Sequence, residues 1–207
     1  MKPFYDRTEA GLALAQQLKP LPHSNGVVLA VPRGGVPVAA VVAQELKLPL
    51  QVWLCKKIGH PKQKEYAIGA VTLTDAYLIP HEEVEEEYLA SEVKAVRHRL
   101  QEMQQRFGVA DAASLKGKTA ILVDDGIATG NTLMAAVRLL RQSEPARIVI
   151  AVPVASRRAQ ELLTPEVDEF ICLHSPAFFT GVGAFYEHFE QVCDEEVMAL
   201  LQPAAGQ

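Results

Sequence analysis

The amino-acid sequence predicts an α/β fold with a mostly parallel central sheet flanked by helices. Short apolar runs typical of buried strands recur along the chain, and segments with helical spacing separate them. This alternation favours parallel strands joined by right-handed crossovers. The length of 207 residues and the 49% content of hydrophobic residues suit one globular domain, which we expect to span residues 1–207.

The amino-terminal half alternates between helix and strand signals. Residues 4–19 predict an initial segment and a helix, because apolar side chains recur on one helical face. The run from Val27 to Val31 is continuously apolar, as in a buried strand, and a helix is predicted at 36–46. Another strand is predicted at 50–54, and two more are predicted between 67 and 80 around a turn at 74–75.

The carboxy-terminal half continues the alternation. Residues 81–107 predict a long helix, because apolar residues recur at spacings of three and four and Gly108 suits its carboxyl end. The apolar runs at 119–123, 147–153 and 169–173 predict buried strands. Helices are predicted from 133 to 141 and at 156–163, between these strands.

The bulk composition excludes several classes of protein. The formal net charge of −5 argues against general nucleic-acid binding, which requires a basic face. Three sparse cysteines indicate reduced thiols in a cytoplasm rather than a disulfide framework. The first residues lack the apolar run of a signal peptide, and prolines interrupt the longest apolar stretch, 27–43. We therefore expect a cytoplasmic protein without membrane or nucleic-acid partners.

One stretch, 119–133, combines the features of an anion-binding turn. An apolar strand ends at Asp124 and Asp125, and a turn rich in Gly and Thr leads into a helix. The first N–H groups of a helix have no partner within it, and the helix dipole attracts negative charge. Gly130 allows close backbone approach. The turn is therefore predicted to bind a phosphate, and the two carboxylates to bind hydroxyls or a cation.

Two other segments that follow strands carry positive charge. Arg33-Gly34-Gly35 forms a second strand–turn–helix junction, where the arginine would offer a fork of donors to phosphate oxygens. The segment 55–69 holds four lysines within nine residues, together with Gly59, Pro61 and Gly69. Concentrated positive charge attracts polyanions, so this segment is predicted to be a mobile lid. The alternative is a solvated surface loop.

The stretch 119–133 resembles the signature of type I phosphoribosyltransferases, which bind phosphoribosyl pyrophosphate (PRPP). In that family a hydrophobic strand precedes two acidic residues, two mostly apolar residues and a small-Thr-Gly-x-Thr loop. Here these are Ile121-Leu122-Val123, Asp124-Asp125, Gly126-Ile127 and Ala128-Thr129-Gly130-Asn131-Thr132. Gly126 departs from the pattern, because the family usually carries a branched apolar residue there. The resemblance covers roughly residues 26–173, the expected core of the domain.

The resemblance implies transfer of ribose 5-phosphate from PRPP to a nitrogenous base, with release of pyrophosphate. It assigns the 5′-phosphate to residues 128–132 and the ribose hydroxyls to the catalytic pair Asp124 and Asp125. It implies magnesium as cofactor, held by substrate oxygens and reaching these carboxylates only through water. The residues implied for pyrophosphate are Arg33, Gly34, Gly35 and the catalytic Lys57.

The family also has a flexible lid and a hood that receives the base. The lid would be the lysine-rich segment, with the residues Lys56, Lys57, Lys62, Lys64, Glu65 and Tyr66. The hood would come from the chain termini, from the region 74–110, or from both. Phe178, Phe179 and Tyr186 are candidates for stacking on a base, and they equally fit a role in anchoring the tail on the core.

The acceptor and the functional class stay open at this point. A regulator that senses PRPP without transferase activity is the alternative to an enzyme of purine or pyrimidine salvage. A generic nucleotide-binding module is disfavoured, because neither a phosphate-loop lysine nor a Gly-x-Gly-x-x-Gly pattern is present. Ala128 stands where relatives that use 6-oxopurines usually carry Asp, so hypoxanthine and guanine are expected to be poor acceptors. A homodimer is an expectation from the same relatives.

Overall fold

The computed structural model describes residues 2–22, 25–79, 81, 83–109 and 114–201. Parts of both candidate hood segments, namely residues 80, 82, 110, 1 and 202–207, lie outside this description, as does the side chain of Glu65. In chain order the elements are α1 (Arg7–Leu18), β1 (Gly26–Ala30), α2 (Gly35–Leu46), β2 (Leu50–Val52), β3 (Lys56–His60), β4 (Gln63–Val71), β5 (Ala76–Leu78), α3 (Glu86–Phe107), β6 (Thr119–Val123), α4 (Asn131–Gln142), β7 (Arg147–Val154), α5 (Arg157–Leu163), β8 (Glu169–His174) and α6 (Asp194–Leu201).

A parallel sheet forms the centre of the molecule. Among the described residues it has five strands in the order β2-β1-β6-β7-β8, and each pair of neighbours is parallel. Val28 lies opposite Ile121, which lies opposite Val149 on the other side. This arrangement confirms the predicted fold class, a parallel central sheet flanked by helices.

Helices cover both faces of this sheet, because successive strand residues point to opposite sides. Val28 and Ala30 face the cluster that contains the apolar sides of α1 and α2. Val27 and Leu29 face the second cluster, which contains α4 and α5. Each fully buried Val, Leu or Ile stabilises the fold by about 1.5–3 kcal/mol. The two clusters thus place the sheet between two helical layers, and because its strands are parallel their carboxyl ends form one edge.

The lysine-rich segment forms strands rather than the predicted loop. β3 and β4 make an antiparallel hairpin, and β5 completes a second sheet beside it. Ile58 and Ile68 are fully buried in this hairpin. In the sequence these two residues stand among lysines and glycines, so the alternation of buried and exposed residues is a weak signal. The hairpin packs on α3 and α4.

The amino-terminal segment contacts the tail, residues 175–193 between β8 and α6, beside the central sheet. The N–H of Phe4 donates to the carbonyl oxygen of Phe185 at 2.9 Å, and the N–H of Glu187 donates back to that of Phe4 at 2.8 Å. The ring of Phe4 lies 5.7 Å from that of Tyr186. Helix α6 follows this tail and was not predicted. The helix predicted from 81 begins instead at Glu86. No helix in the described ranges has both the length and the apolar character to cross a bilayer.

Candidate functional site

Two loops meet at the carboxyl edge of the parallel sheet, because β1 and β6 are neighbours. The loop after β1 carries Gly34 and Gly35, and the loop after β6 carries Asp124 and Asp125. A Cβ atom on Gly34 would lie 2.2 Å from Oδ2 of Asp125, and one on Gly35 would lie 2.8 Å from Cα of Asp124. A side chain at either glycine would therefore collide with the carboxylate loop. The structure brings these two predicted segments into direct contact.

The predicted anion-binding turn, residues 128–132 and called the phosphate turn below, follows these carboxylates in the chain. Gly130 has a φ of 79°, which favours glycine, and it is the N-cap residue of the twelve-residue helix α4. The side chains of Thr129 and Thr132 are exposed next to the helix amino terminus. Ser156 donates from Oγ to the carbonyl oxygen of Ala128 at 2.6 Å and so braces the turn from the end of β7. Sequence reasoning missed Ser156, whose only local signal was that of a helix cap.

The carboxylates of Asp124 and Asp125 have different surroundings. Oδ1 of Asp124 accepts the N–H of Asp125 at 2.9 Å. Burial raises the pKa of Asp124 well above its ordinary value, and the charge of Asp125 raises it further. Burial also raises the pKa of Asp125, but the guanidinium of Arg7 acts in the opposite direction. Arg7 therefore compensates the charge of Asp125, whereas the carboxyl group of Asp124 is costly to ionise.

Arg7 is the partner of Asp125 and was not predicted. Its Nε and Nη2 atoms lie 3.0 and 2.9 Å from the same oxygen, Oδ2. Its Nη1 donates to the carbonyl oxygen of Glu190 at 3.0 Å, and its guanidinium lies 3.9 Å from the ring centroid of Phe189. No motif spacing links these residues, because the tail brings them together only in the folded chain.

The unusual glycine of the motif, Gly126, is explained by packing. A Cβ atom there would lie 2.6 Å from Cγ1 of Val182 and 2.8 Å from Cγ1 of Val154. Both distances are too short for real contacts, so the tail and β7 fill the space that a branched residue would take. The departure from the family pattern therefore follows from where the tail packs.

The three aromatic candidates for the base lie in different environments. Tyr186 is only 6% exposed, and its hydroxyl donates to the carbonyl oxygen of Asp125 at 2.6 Å. Burial raises its pKa. Phe179 stacks on Phe185 at 5.5 Å, whereas Phe178 is 90% exposed. In this conformation Tyr186 holds the backbone of the motif at Asp125. This contact fits the anchoring alternative better than stacking on a base.

Arg33 lies in the loop after β1, where the Pro32–Arg33 peptide is cis. Its Nη1 lies 3.4 Å from Oδ1 of Asp194, the first residue of α6. The other oxygen of Asp194 accepts from Nη1 of Arg106 at 2.9 Å. An anion that binds the whole guanidinium group of Arg33 would therefore compete with the carboxylate of Asp194.

Two lysines of the hairpin contact α3 and the segment before it. Nζ of Lys64 donates to the hydroxyl of Tyr88 at 2.8 Å, and this hydroxyl donates to the carbonyl oxygen of Gly59 at 2.8 Å. Nζ of Lys62 lies 3.4 Å from Oε2 of Glu83. The structure therefore pairs Lys62 and Lys64 with groups other than the phosphate turn.

The remaining lid candidates differ in burial. Lys56 is exposed and Lys57 is half-buried on β3. Tyr66 is 49% exposed, and its ring lies 5.5 Å from that of His81.

The side chains near the turn fit a metal ion that takes most of its ligands from water and substrate. The described part of the chain contains no group of three or more His, Cys, Asp or Glu residues able to hold a metal ion. Magnesium near phosphates usually keeps several waters and uses one or two carboxylates. Asp124, at the edge of the turn, fits that limited role.

Residues 9–186 match the family model described as "Phosphoribosyl transferase domain". Two Mycobacterium tuberculosis proteins, each named "Putative phosphoribosyl transferase", are 40% identical over 210 residues, which cover 99% of this chain and 47% of theirs. The chain thus spans about half the length of these curated relatives.

Solved structures show the same fold. The crystal structure of TT1426 from Thermus thermophilus is 41% identical, covers 97% of this chain and 98% of its own, and superposes with a TM-score of 0.91. The adenine phosphoribosyltransferase (APRTase) of Giardia lamblia, crystallised with 9-deazaadenine, is 14% identical over 83% of this chain and 80% of its own, with a TM-score of 0.51. At that identity only the fold is comparable.

Proposed function

The chain belongs to the phosphoribosyltransferase family, and we propose that it moves ribose 5-phosphate from PRPP to a nitrogenous base and releases pyrophosphate. The observation that carries this proposal is the contact between the glycine loop 33–35 and the carboxylates Asp124 and Asp125, beside the amino terminus of α4. An anion-binding turn, a carboxylate pair for the sugar hydroxyls and a second anion-binding loop then share one edge of the sheet. A sugar that carries a phosphate and a pyrophosphate requires these three features together.

In this proposal the 5′-phosphate binds the turn 128–132. The N–H groups of the first turn of α4 would donate to its oxygens, and the helix dipole would favour its charge. The hydroxyls of Thr129 and Thr132 would add two donors. Ser156 would hold the turn in place through Ala128.

The carboxylates would act on the sugar. They would accept hydrogen bonds from ribose hydroxyls and stabilise the positive charge that builds on the ring as the bond to pyrophosphate breaks. Fixed charges of this kind are usually the largest contribution to catalysis. Magnesium, when bound, would neutralise pyrophosphate. Arg33 would leave Asp194 and bind the pyrophosphate instead. Lys57 would approach the pyrophosphate from β3.

The first experiment measures PRPP binding. We expect PRPP with magnesium at a hundredfold excess over its dissociation constant to stabilise the parent by about 2.7 kcal/mol. The variant Asp124→Asn with Asp125→Asn should fold but lose this stabilisation and all turnover. Lys19→Met, which breaks an exposed ion pair with Glu45, serves as control. Stabilisation of the double variant equal to that of the parent would exclude these carboxylates as PRPP ligands.

The second experiment identifies the acceptor. The protein is incubated with PRPP, magnesium and a panel of purine and pyrimidine bases, and pyrophosphate release is followed. Ala128 cannot exchange a proton with a base, so hypoxanthine and guanine should react slowly if at all. Fast release with guanine would show that another side chain performs this step.

The alternative, a regulator that senses PRPP, has one observation in its favour. Arg33, Lys62 and Lys64 are all engaged by other groups of the chain, as in a site that responds to a ligand by rearranging. Tight PRPP binding without pyrophosphate release for any base of the panel would select this function or an unusual acceptor.

A further inference from the structure

The two motif carboxylates differ in how firmly they are held. Two nitrogen atoms of Arg7 converge on Oδ2 of Asp125, at 3.0 and 2.9 Å. The side chains are 12% and 13% exposed, so both charges of this ion pair are largely removed from water. The same oxygen faces Gly34, and a Cβ atom on Gly34 would lie only 2.2 Å from it. Oδ2 is thus enclosed between a guanidinium and the glycine loop.

Arg7 is itself fixed from several directions. Its backbone begins α1, its Nη1 donates to the carbonyl oxygen of Glu190 at 3.0 Å, and its guanidinium lies over the ring of Phe189 at 3.9 Å. Because Arg7 is held in this way, it restricts the position of its partner, the carboxylate of Asp125. The backbone of Asp125 is held as well, because the hydroxyl of Tyr186 donates to its carbonyl oxygen at 2.6 Å.

Asp124 has a smaller set of contacts within the described residues. Its Oδ1 accepts the N–H of Asp125 at 2.9 Å, and that bond orients its carboxylate relative to its neighbour. Asp124 therefore takes its orientation from the backbone of Asp125, and Asp125 is held in place by Arg7 at its side chain and by Tyr186 at its carbonyl oxygen. The chain of contacts runs from the amino-terminal helix to the carboxylate at the edge of the turn.

We propose that Arg7 is a positioning residue of the PRPP site, which fixes Asp125 as a wall against the glycine loop and so aims Asp124 at the ribose hydroxyls. This inference rests on the proposed function. It divides the work of the two carboxylates, because the oxygen of Asp125 that Arg7 holds is not free to turn towards a ligand. A buried ion pair adds little to stability compared with apolar packing, so orientation is the better explanation for keeping one here.

The test compares affinities for ribose 5-phosphate and 2-deoxyribose 5-phosphate by calorimetry, together with thermal unfolding. A site that donates or accepts a bond to a hydroxyl discriminates strongly against a ligand that lacks it. We expect the parent to prefer ribose 5-phosphate at least about tenfold, which corresponds to about 1.4 kcal/mol. In Arg7→Met this preference should fall to about threefold or less. A change in stability alone would leave the ratio of the two affinities unaltered.

Two further variants make the result decisive. Arg7→Lys keeps the charge but replaces the fork by a single nitrogen, so its preference should lie between those of the parent and Arg7→Met. Lys19→Met removes a cation at the other end of α1 and should leave the ratio unchanged. An unchanged ratio in Arg7→Lys overturns the proposal, even if Arg7→Met does not fold.

The outcomes separate this proposal from the proposed function. If the parent binds neither PRPP nor ribose 5-phosphate, the proposed function is wrong and Arg7 positions nothing. If the parent binds both and prefers ribose, but the Arg7 variants keep that preference, the function stands and only the positioning role is wrong.

Discussion

The carboxyl group of Asp124 lies where ionisation is expensive, because burial and the neighbouring charge of Asp125 both raise its pKa. In the unfolded chain an aspartate ionises near pH 4. As the pH rises from that value through the raised pKa of the folded protein, the folded state binds more protons than the unfolded state. The free energy of unfolding therefore falls over this window.

We predict that Asp124→Asn makes the protein more stable at neutral and alkaline pH, although it removes PRPP binding. The amide can keep the bond from the N–H of Asp125 and cannot ionise. The gain should vanish near pH 4 and reach at least about 2 °C in Tm near pH 8, the shift that about 1 kcal/mol produces in a chain of this size. Thermal unfolding from about pH 4 to about pH 8 measures it, with Glu45→Gln at an exposed carboxylate as control. A pH-independent difference between Asp124→Asn and the parent would contradict the prediction.

Local sequence identified some of these residues and missed others for a physical reason. Asp124 and Gly130 were predicted, because a strand, a turn and a helix follow one another within a few residues. Arg7 and Ser156 were not, since their partners lie far away along the chain and no spacing rule links them. Side chains that act through other side chains leave little local pattern.

At the scale of elements, polar contacts join the hairpin β3–β4 to α3 in addition to the packing of the buried Ile58 and Ile68. The hydroxyl of Tyr88 lies 2.8 Å from Nζ of Lys64 and 2.8 Å from the carbonyl oxygen of Gly59, so it joins both strands to the helix. These contacts are exposed or half-buried, and such bonds contribute about 0.5–1.5 kcal/mol each. The buried Ile58 and Ile68 fix the rest of the hairpin in the core, so any opening would be confined to its exposed end around Lys62 and Lys64.

We predict that PRPP with magnesium slows trypsin cleavage within residues 56–69, because a bound polyanion would attract the lysines of the hairpin. Tyr88→Phe should speed cleavage at least about threefold without ligand, since it removes both contacts. Mass spectrometry of timed digests gives the rates, with Ser91→Ala on the next turn of α3 as control. Equal cleavage with and without PRPP would mean that this hairpin is not a lid.

The hairpin also shows where sequence reasoning reached its limit at this scale. Glycines and Pro61 suggested a loop, whereas the buried Ile58 and Ile68 make it a pair of strands. Strand pairing depends on a partner that local sequence does not specify, and a few apolar residues among lysines are a weak signal. The strands of the central sheet were easier to predict, because burial on both faces leaves continuous apolar runs.

At the scale of the whole molecule, the first residues and the tail hold each other beneath the site. Phe4 is 8% exposed and packs its ring 5.0 Å from that of His174 and 5.7 Å from that of Tyr186. Tyr186 in turn bonds to Asp125. The parallel sheet was predictable from alternation of strands and helices, whereas this junction between distant segments was not.

We predict that Phe4→Ala lowers the free energy of unfolding by about 3 kcal/mol, as truncation of a buried Phe does. It should also weaken PRPP binding at least about threefold, because Tyr186 loses its support. Tyr5→Ala, at the adjacent position that is 56% exposed, should change stability by less than about 1 kcal/mol. Thermal unfolding and calorimetry test both effects, and equal results for the two variants would contradict the structural role of Phe4.

The side chain of Val182 occupies the space that a side chain at position 126 would need, and this has an evolutionary consequence. One position cannot gain a branched side chain while the other keeps its own, since only 2.6 Å separates the Cβ position at 126 from Cγ1 of Val182. Overpacking of this kind costs about 1–3 kcal/mol. Gly126→Val should therefore destabilise the protein, and Val182→Ala should restore part of the loss. In descendants of a common ancestor the two sites should coevolve, so that a glycine in the motif signals a large residue in the tail and a branched residue in the motif signals a small one.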